Sequence, residues 1–186
     1  MIACGVIDPK GNEEIIDNFH GYVLDSEVDI IEDYENEFKE IKGVGLNPIN
    51  TINSTISEYA ASFLNSQGGR IYYGITNDRV IKGVKANPEK KDEINRIIYN
   101  NLANIQPPIS PDYFEINYYP ILNSSNEAIE DLYIIEVITP LSYDRSAIYF
   151  INGNNLFVRV NGVKKKLCGN EIVSFIRKKL LEETFK

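Results

Sequence analysis

The sequence predicts an α+β domain in which a curved, mostly antiparallel sheet is packed by two or three helices. Three segments carry apolar residues at helical spacing, whereas the second half is rich in β-branched and aromatic runs separated by turn residues. The chain has 186 residues, of which 43% are hydrophobic and 25% charged, a composition typical of a folded protein with one core. We divide it into an acidic N-terminal extension, residues 1–31, and one domain, residues 32–186.

The first elements of this domain are a strand and a helix. Residues 34–42 alternate in the way of a strand. A helix follows, predicted from the apolar positions Ile52, Ile56, Tyr59, Ala60, Phe63 and Leu64. Asn50 or Thr51 is expected to cap its start, and Gly68-Gly69 to end it.

Two short strands and a second helix come next. The strands are predicted at 70–75 and 80–84, joined by the polar turn Asn77-Asp78. Residues 89–105 have the apolar periodicity of an amphipathic helix, which Pro107 ends.

The rest of the chain is predicted to be strands and a final helix. The strands are 113–121, 132–138, 147–151 and 156–160. Asn152-Gly153 is a strong hairpin signal between the last two, and Asn170 is expected to cap the helix.

Charge is unevenly distributed along the chain. Residues 1–40 hold 12 acidic and 2 basic residues, whereas residues 164–186 hold 3 acidic and 7 basic ones. The formal net charge of −8 would argue against a polyanionic partner if it were uniform, but without residues 1–40 the chain carries +2. The overall acidity therefore does not exclude nucleic acid.

Several classes of protein and ligand are not expected. No apolar run is long enough to span a membrane, and the start lacks the features of a signal peptide, so we expect a cytoplasmic protein. Cys4, Cys168 and the single histidine, His20, are too few and too scattered for a zinc site. No phosphate-binding loop of the G-x-x-x-x-G-K-[ST] type is present, and we do not expect ATP as a ligand.

Basic residues and tyrosines are candidates for contacts to nucleic acid. The basic candidates are Arg70, Arg159, Lys164, Lys165 and Lys166, followed by Arg177, Lys178 and Lys179. Tyr72, Tyr118 and Tyr143 could stack on bases if they are exposed, although aromatics in predicted strands belong more often to the core.

Several motifs in one order resemble a known family. Glu32 is followed five residues later by the strand Glu37-Phe38-Lys39. The segment FLNSQGGRIYYGI then contains the end of a helix, a Gly-Gly pair and a strand. Gly74 and Gly83 lie nine residues apart, and the late segment LFVRVNGVKKK carries an arginine before a turn. From residue 32 to 176 this set resembles the Schlafen-type AlbA domain, also described as a divergent AAA ATP-binding domain.

The resemblance implies a nucleic-acid-binding module, for RNA or single-stranded DNA, that pairs as a homodimer. In animal and poxviral Schlafens, three acidic residues cut transfer or ribosomal RNA with a divalent metal, and two of these match Glu32 and Glu37. The third position holds Thr76 here, so that Asp78 is the remaining candidate. Glu32, Glu37 and Asp78 could then hold Mg²⁺ or Mn²⁺, with Lys39 on a phosphate oxygen.

Other interpretations remain open at the level of sequence. Glu37 and Lys39 share one face of their strand, so they could instead form an ordinary charge pair. Gly68-Gly69 could cradle a phosphate or could simply allow a helix end to approach a strand. The function could be nucleic-acid binding alone, metal-dependent endoribonuclease activity, or an acidic protein–protein module in which residues 1–29 mimic nucleic acid.

Overall fold

The structure, a computed structural model, describes residues 5–7, 13–15, 21–42 and 47–184. These residues form three α-helices, two main β-sheets and a short antiparallel ladder of β1 (Gly5–Ile7) with β2 (Glu13–Ile15). Only two of the strand pairs in these ranges are parallel. The predicted α+β class with a mostly antiparallel arrangement is confirmed, although the strands are divided between two sheets.

The larger sheet is mixed. Its order is β3 (Tyr22–Val23), β8 (Glu115–Leu122), β9 (Ala128–Thr139), β5 (Gly69–Tyr73) and β4 (Asn36–Lys39), with β6 (Val84–Lys85) also on β9. The parallel pairing of β4 with β5 places Glu37 opposite Ile71 and Lys39 opposite Tyr73 on one face. Phe38 and Tyr72 lie on the other face.

The smaller sheet is antiparallel. Its order is β12 (Val163–Leu167), β11 (Asn155–Val160), β10 (Phe150–Ile151) and β7 (Ile105–Gln106). The predicted hairpin is present, because Asn152 and Gly153 between β10 and β11 take positive φ angles of 51° and 76°, as a type I′ turn requires.

Helix α1 (Pro48–Leu64) starts earlier than the sequence analysis expected. Asn47 is its N-cap, with a side chain that accepts from the Ile49 N–H at 3.1 Å, so the predicted caps Asn50 and Thr51 were wrong. Pro48 explains the shift, since its fixed φ and missing N–H suit the first helical turn. Helix α2 (Pro88–Leu102) repeats this arrangement behind Asn87, and α3 (Asn170–Thr184) begins at the asparagine singled out in the sequence.

The main core lies around α1. It joins buried residues of α1 and α2 to both sheets, among them Ile52, Phe63, Ile98, Val137 and Phe157. The far side of the smaller sheet packs against α3, where Phe175 contacts the cluster of Leu156, Val158 and Leu167. No helix in the described ranges is long and apolar enough to cross a membrane.

The larger sheet extends N-terminal to the predicted domain start at residue 32. Strand β3 pairs with β8, and Val28 is buried in the cluster that contains Phe38 and Tyr72. Residues 22–28 therefore belong to the sheet and its core. Cys4 and His20 lie outside the described residues, as do the other residues of 1–4, 8–12 and 16–20 in the acidic extension.

Candidate nucleic-acid interface

Glu37 is the centre of a buried ion-pair cluster. Its Oε1 lies 2.5 Å from Lys39 Nζ and its Oε2 lies 2.8 Å from an Arg159 guanidinium nitrogen. Tyr59 of α1 lies near enough to this carboxylate to affect its pKa. The predicted charge pair of Glu37 with Lys39 is confirmed, but it is not on a solvated face, because the Glu37 side chain is only 11% exposed.

Arg159 is the most constrained of these groups. Its side chain is fully buried and donates to the backbone oxygens of Asp33, at 2.6 Å, and Tyr34, at 3.3 Å, as well as to Glu37. The guanidinium also lies 5.0 Å from the centre of the Phe63 ring. Arg159 thus fastens the N-terminal side of β4 to β11, and these contacts bury its guanidinium in the folded domain.

The ion pairs set the ionisation of Glu37. Burial alone would raise the pKa of Glu37, but hydrogen bonds from Lys39, Arg159 and Tyr59 outweigh it and hold this pKa below the ordinary value of 4.5. A carboxylate with a lowered folded-state pKa contributes stability above its unfolded pKa, and this contribution is lost as the pH falls through the folded value.

We therefore expect a pH-dependent effect of Glu37→Gln. At pH 7 the variant should lose about 2 kcal/mol of unfolding free energy, because Arg159 keeps its charge without a charged partner. This difference from the unsubstituted protein should shrink as the pH falls below about 4.5, where Glu37 of the unfolded chain becomes protonated, and vanish below the lower pKa that Glu37 has in the folded protein. Urea unfolding of both proteins at a series of pH values measures this difference in unfolding free energy. A difference that stays constant between pH 7 and pH 3 would contradict the assignment.

The three predicted metal ligands are not gathered into a metal site. Glu32 is exposed, and its Oε1 accepts from the Phe38 N–H at 2.8 Å. Its charge also contributes to the raised pKa of Tyr59. Asp78 is exposed in the turn after β5, where the Thr76 hydroxyl accepts from the Val80 N–H. In the described ranges no three acidic, histidine or cysteine side chains are arranged to hold a metal.

The partners of the Glu37 carboxylate also argue against a metal site. Both carboxylate oxygens of Glu37 already bind a cation, and a metal ion would have to displace Lys39 or Arg159. The residues present do not fit Mg²⁺ or Mn²⁺, and we derive no metal-dependent step from them.

The three consecutive lysines of β12 do not form one patch. Lys164 pairs with Glu58 and lies 4.4 Å from the centre of the Tyr59 ring. Lys165 pairs with Glu171 at 2.5 Å, and Lys166 lies 6.0 Å from the Phe157 ring. Because neighbouring residues of a strand point to opposite faces, Lys165 is directed away from the other two lysines.

The Gly68-Gly69 pair has a structural explanation. A Cβ on Gly69 would lie 2.2 Å from the Phe63 ring, and one on Gly68 would lie 2.8 Å from the Leu141 nitrogen. The Gly68 N–H donates to the Phe63 carbonyl at 3.0 Å, which closes the end of α1. Gly68-Gly69 therefore lets the end of α1 approach a strand, as one of the two interpretations held. The Gly68 N–H is not free to bind a phosphate, because it already donates to Phe63.

Two adjacent clefts open near this helix end. The first, which we call the Arg70 cleft, has a volume of about 400 Å³ and is lined by Gln67, Arg70, Tyr72 and the apolar side chains of Ile30, Ile138, Pro140 and Leu141, among others. Arg70 is half exposed and pairs at 3.3 Å with the buried carboxylate of Glu136. Tyr72 is 3% exposed, so its ring is not available for stacking as the sequence analysis had considered.

The second cleft, which we call the basic cleft, has a volume of about 360 Å³. Its lining includes Arg145, Lys178 and Lys179, with Tyr34, Gln67 and the buried Arg159, and contains no aspartate or glutamate among the side chains that the structure describes. Lys179 donates to the carbonyls of Arg145 and Ala147, both at 3.2 Å, and so joins α3 to the loop before β10. Gln67 lines both clefts, which makes them neighbours.

Arg145 and Gln67 were not among the candidates predicted from sequence. Gln67 stands within the segment FLNSQGGRIYYGI, where the glycines drew the attention, and Arg145 lies in a connection without a motif; only the fold brings both into the lining of the basic cleft. Lys178 and Lys179 were among the candidates on charge alone. Of the tyrosines that were considered for stacking, Tyr143 is 74% exposed, whereas Tyr118 is half-buried.

Comparison with known proteins gives one family match and a distant structural likeness. A crystal structure of the DIP2311 protein from Corynebacterium diphtheriae aligns with 78% of this chain at 14% identity and a TM-score of 0.48. This chain covers 24% of that longer one. The model of the family described as Schlafen, AlbA_2 matches residues 32–168, about three-quarters of the chain. Together with the ordered motifs around Glu37, Gly69 and Arg159, this match shows that the chain belongs to the Schlafen AlbA_2 family.

Proposed function

We propose that this domain binds single-stranded nucleic acid, RNA or single-stranded DNA, across the face on which the two clefts open. Membership of the Schlafen AlbA_2 family supports nucleic-acid binding in general terms. The observation that carries the proposal is the basic cleft, whose lining gathers the cationic side chains of Arg145, Lys178 and Lys179. In a chain with a net charge of −8, three cationic side chains around one cleft suit a phosphate backbone.

An exposed aromatic residue, Tyr143, lies in the chain between Leu141 of one cleft and Arg145 of the other and favours single strands. Tyr143 packs edge-on against Tyr113 with ring centres 5.6 Å apart, and its own N–H donates to the Tyr113 hydroxyl at 3.0 Å. A ring that is exposed but held in place loses little entropy when a base stacks on it. Bases offer their faces in this way only where they are unpaired.

The proposal does not extend to cleavage. The carboxylate that an endoribonuclease mechanism would need, Glu37, is occupied by Lys39 and Arg159. Homodimer formation stays a prediction, which light scattering on the purified protein checks.

Fluorescence anisotropy with labelled oligonucleotides of one length tests the proposal. We expect single-stranded RNA or DNA to bind more tightly than duplex DNA, with an association constant that falls as salt is raised. On a logarithmic plot the slope should be roughly −2, since about three phosphates contribute about 0.7 each on a single strand. The absence of binding at low salt, or a preference for duplex, would contradict the proposal.

A further inference from the structure

The Arg70 cleft has a chemical character different from that of the basic cleft. Ile30, Ile138, Pro140 and Leu141 supply apolar walls, and Arg70 is the cation of the lining. A volume of about 400 Å³ lies in the range of sites that hold one small organic group, and such sites combine apolar walls with a few oriented polar groups.

Arg70 is held in place from below. The Glu136 carboxylate, 3% exposed, accepts from Arg70 at 3.3 Å and from Asn117 and the Tyr119 hydroxyl at 3.0 Å each. The Tyr72 hydroxyl lies near enough to Arg70 to raise the pKa of that guanidinium, against the effect of burial. Burial raises the pKa of Tyr72 to about 12, so this hydroxyl stays protonated at neutral pH. The guanidinium is therefore fixed before a ligand arrives, while its side chain remains 49% exposed.

The charge balance of this cleft favours a neutral ligand. The positive charge of Arg70 is compensated by Glu136 directly beneath it, and the exposed Glu35 also lines the cleft, so an incoming phosphate would meet no net attraction. The N–H groups of Arg70 that point away from Glu136, and its planar face, suit a ring with hydrogen-bond acceptors on its edge.

The Arg70 cleft lies next to the basic cleft. Gln67 lines both clefts, and its side-chain oxygen lies 3.5 Å from an Arg145 guanidinium nitrogen. A nucleic-acid strand with its phosphates against Arg145 and Lys178 would thus pass the mouth of the Arg70 cleft.

We propose that the Arg70 cleft takes one unpaired nucleobase from the strand whose phosphates occupy the basic cleft. This inference rests on the proposed function and makes binding depend on bases as well as on charge. The base inserts between the apolar walls, and Arg70 binds its acceptor edge or stacks on its face, as splayed-out bases are bound in single-stranded recognition.

The experiment compares an intact single-stranded oligonucleotide with an abasic sugar-phosphate strand of equal length and charge. The unsubstituted protein should bind the intact strand about tenfold more tightly. Arg70→Lys keeps the charge beside Glu136 but removes the guanidinium plane, and Leu141→Ala removes one apolar wall. In both variants the preference for the intact strand should fall several-fold, while affinity for the abasic strand and the salt slope stay unchanged.

Tyr143→Ala separates this cleft from stacking on the exposed tyrosine. A base preference that is lost in Tyr143→Ala but kept in Arg70→Lys would overturn the assignment to the Arg70 cleft. Equal affinity for intact and abasic strands would overturn it as well, while leaving the proposed function standing. Failure to bind either strand at low salt would instead refute the proposed function.

Discussion

Replacing Arg159 by alanine should lower the free energy of unfolding by about 3–5 kcal/mol, the cost of breaking a buried ion pair by removing one partner. The substitution leaves Glu37 with Lys39 alone and deprives the Asp33 and Tyr34 carbonyls of their donor. It also empties the space beside the Phe63 ring. Chemical denaturation of the purified variant measures the loss.

Lys166→Ala provides the matched control for this prediction. Lys166 lies on the neighbouring strand, is exposed and makes only a distant contact with Phe157 at 6.0 Å, so its removal should change stability by less than about 0.5 kcal/mol. A double substitution of Glu37 and Arg159 by methionine tests the pairing itself. It should cost less than the sum of the single substitutions, because neither charge is then left buried with its partner removed. A stable Arg159→Ala variant with weakened nucleic-acid binding would restore the sequence-based interpretation.

The presence of β4 and of the three helices could be predicted, but the N-cap of α1 and the role of Arg159 could not. Alternation along a strand places Glu37 and Lys39 on one face, which is local information. The contact of Glu37 with Arg159 joins residues 122 positions apart, and it depends on how α1 brings the two sheets together. In the sequence, an arginine in a late strand is indistinguishable from a surface cation.

Asn65 is a second residue whose role depends on contacts that are distant in sequence. This residue follows α1, is 3% exposed, and its amide nitrogen donates to the carbonyls of Tyr149 and Phe157 at 2.8 and 2.9 Å. Its side-chain oxygen accepts from the Tyr149 N–H, so a single asparagine ties the helix end to the residue before β10 and to β11. Composition suggests a turn residue at this position, and only the tertiary fold shows the buried hydrogen bonds.

The acidic N-terminal segment also requires a revised experiment. Deleting residues 1–29 was the natural test for a segment that mimics nucleic acid, yet this deletion would remove β3 and the buried Val28. Loss of binding would then reflect damage to the sheet. Deletion of residues 1–20 leaves the sheet intact and is the truncation to compare in the anisotropy assay.

Reversing two charges in the basic cleft should produce the largest change in binding. Arg145→Glu combined with Lys178→Glu should weaken the affinity for single-stranded nucleic acid about 100-fold at low salt, at about tenfold for each lost phosphate contact. The slope of log K against log salt should also become shallower by about 1.4, since two phosphate contacts are lost at about 0.7 each. Lys179 is left unchanged, because its bonds to the Arg145 and Ala147 carbonyls hold α3 in place.

The control for this variant changes the same net charge elsewhere. Lys85→Glu with Arg96→Glu alters two exposed cations that line neither cleft, so it reproduces the long-range electrostatic effect without the local one. Anisotropy titrations at several salt concentrations, with thermal unfolding to confirm that all variants fold, compare the two pairs. If both weaken binding equally, the effect belongs to the overall charge of the domain. If only the Arg145 and Lys178 pair does so, the phosphates lie in the basic cleft, since a diffuse field would act on both variants alike.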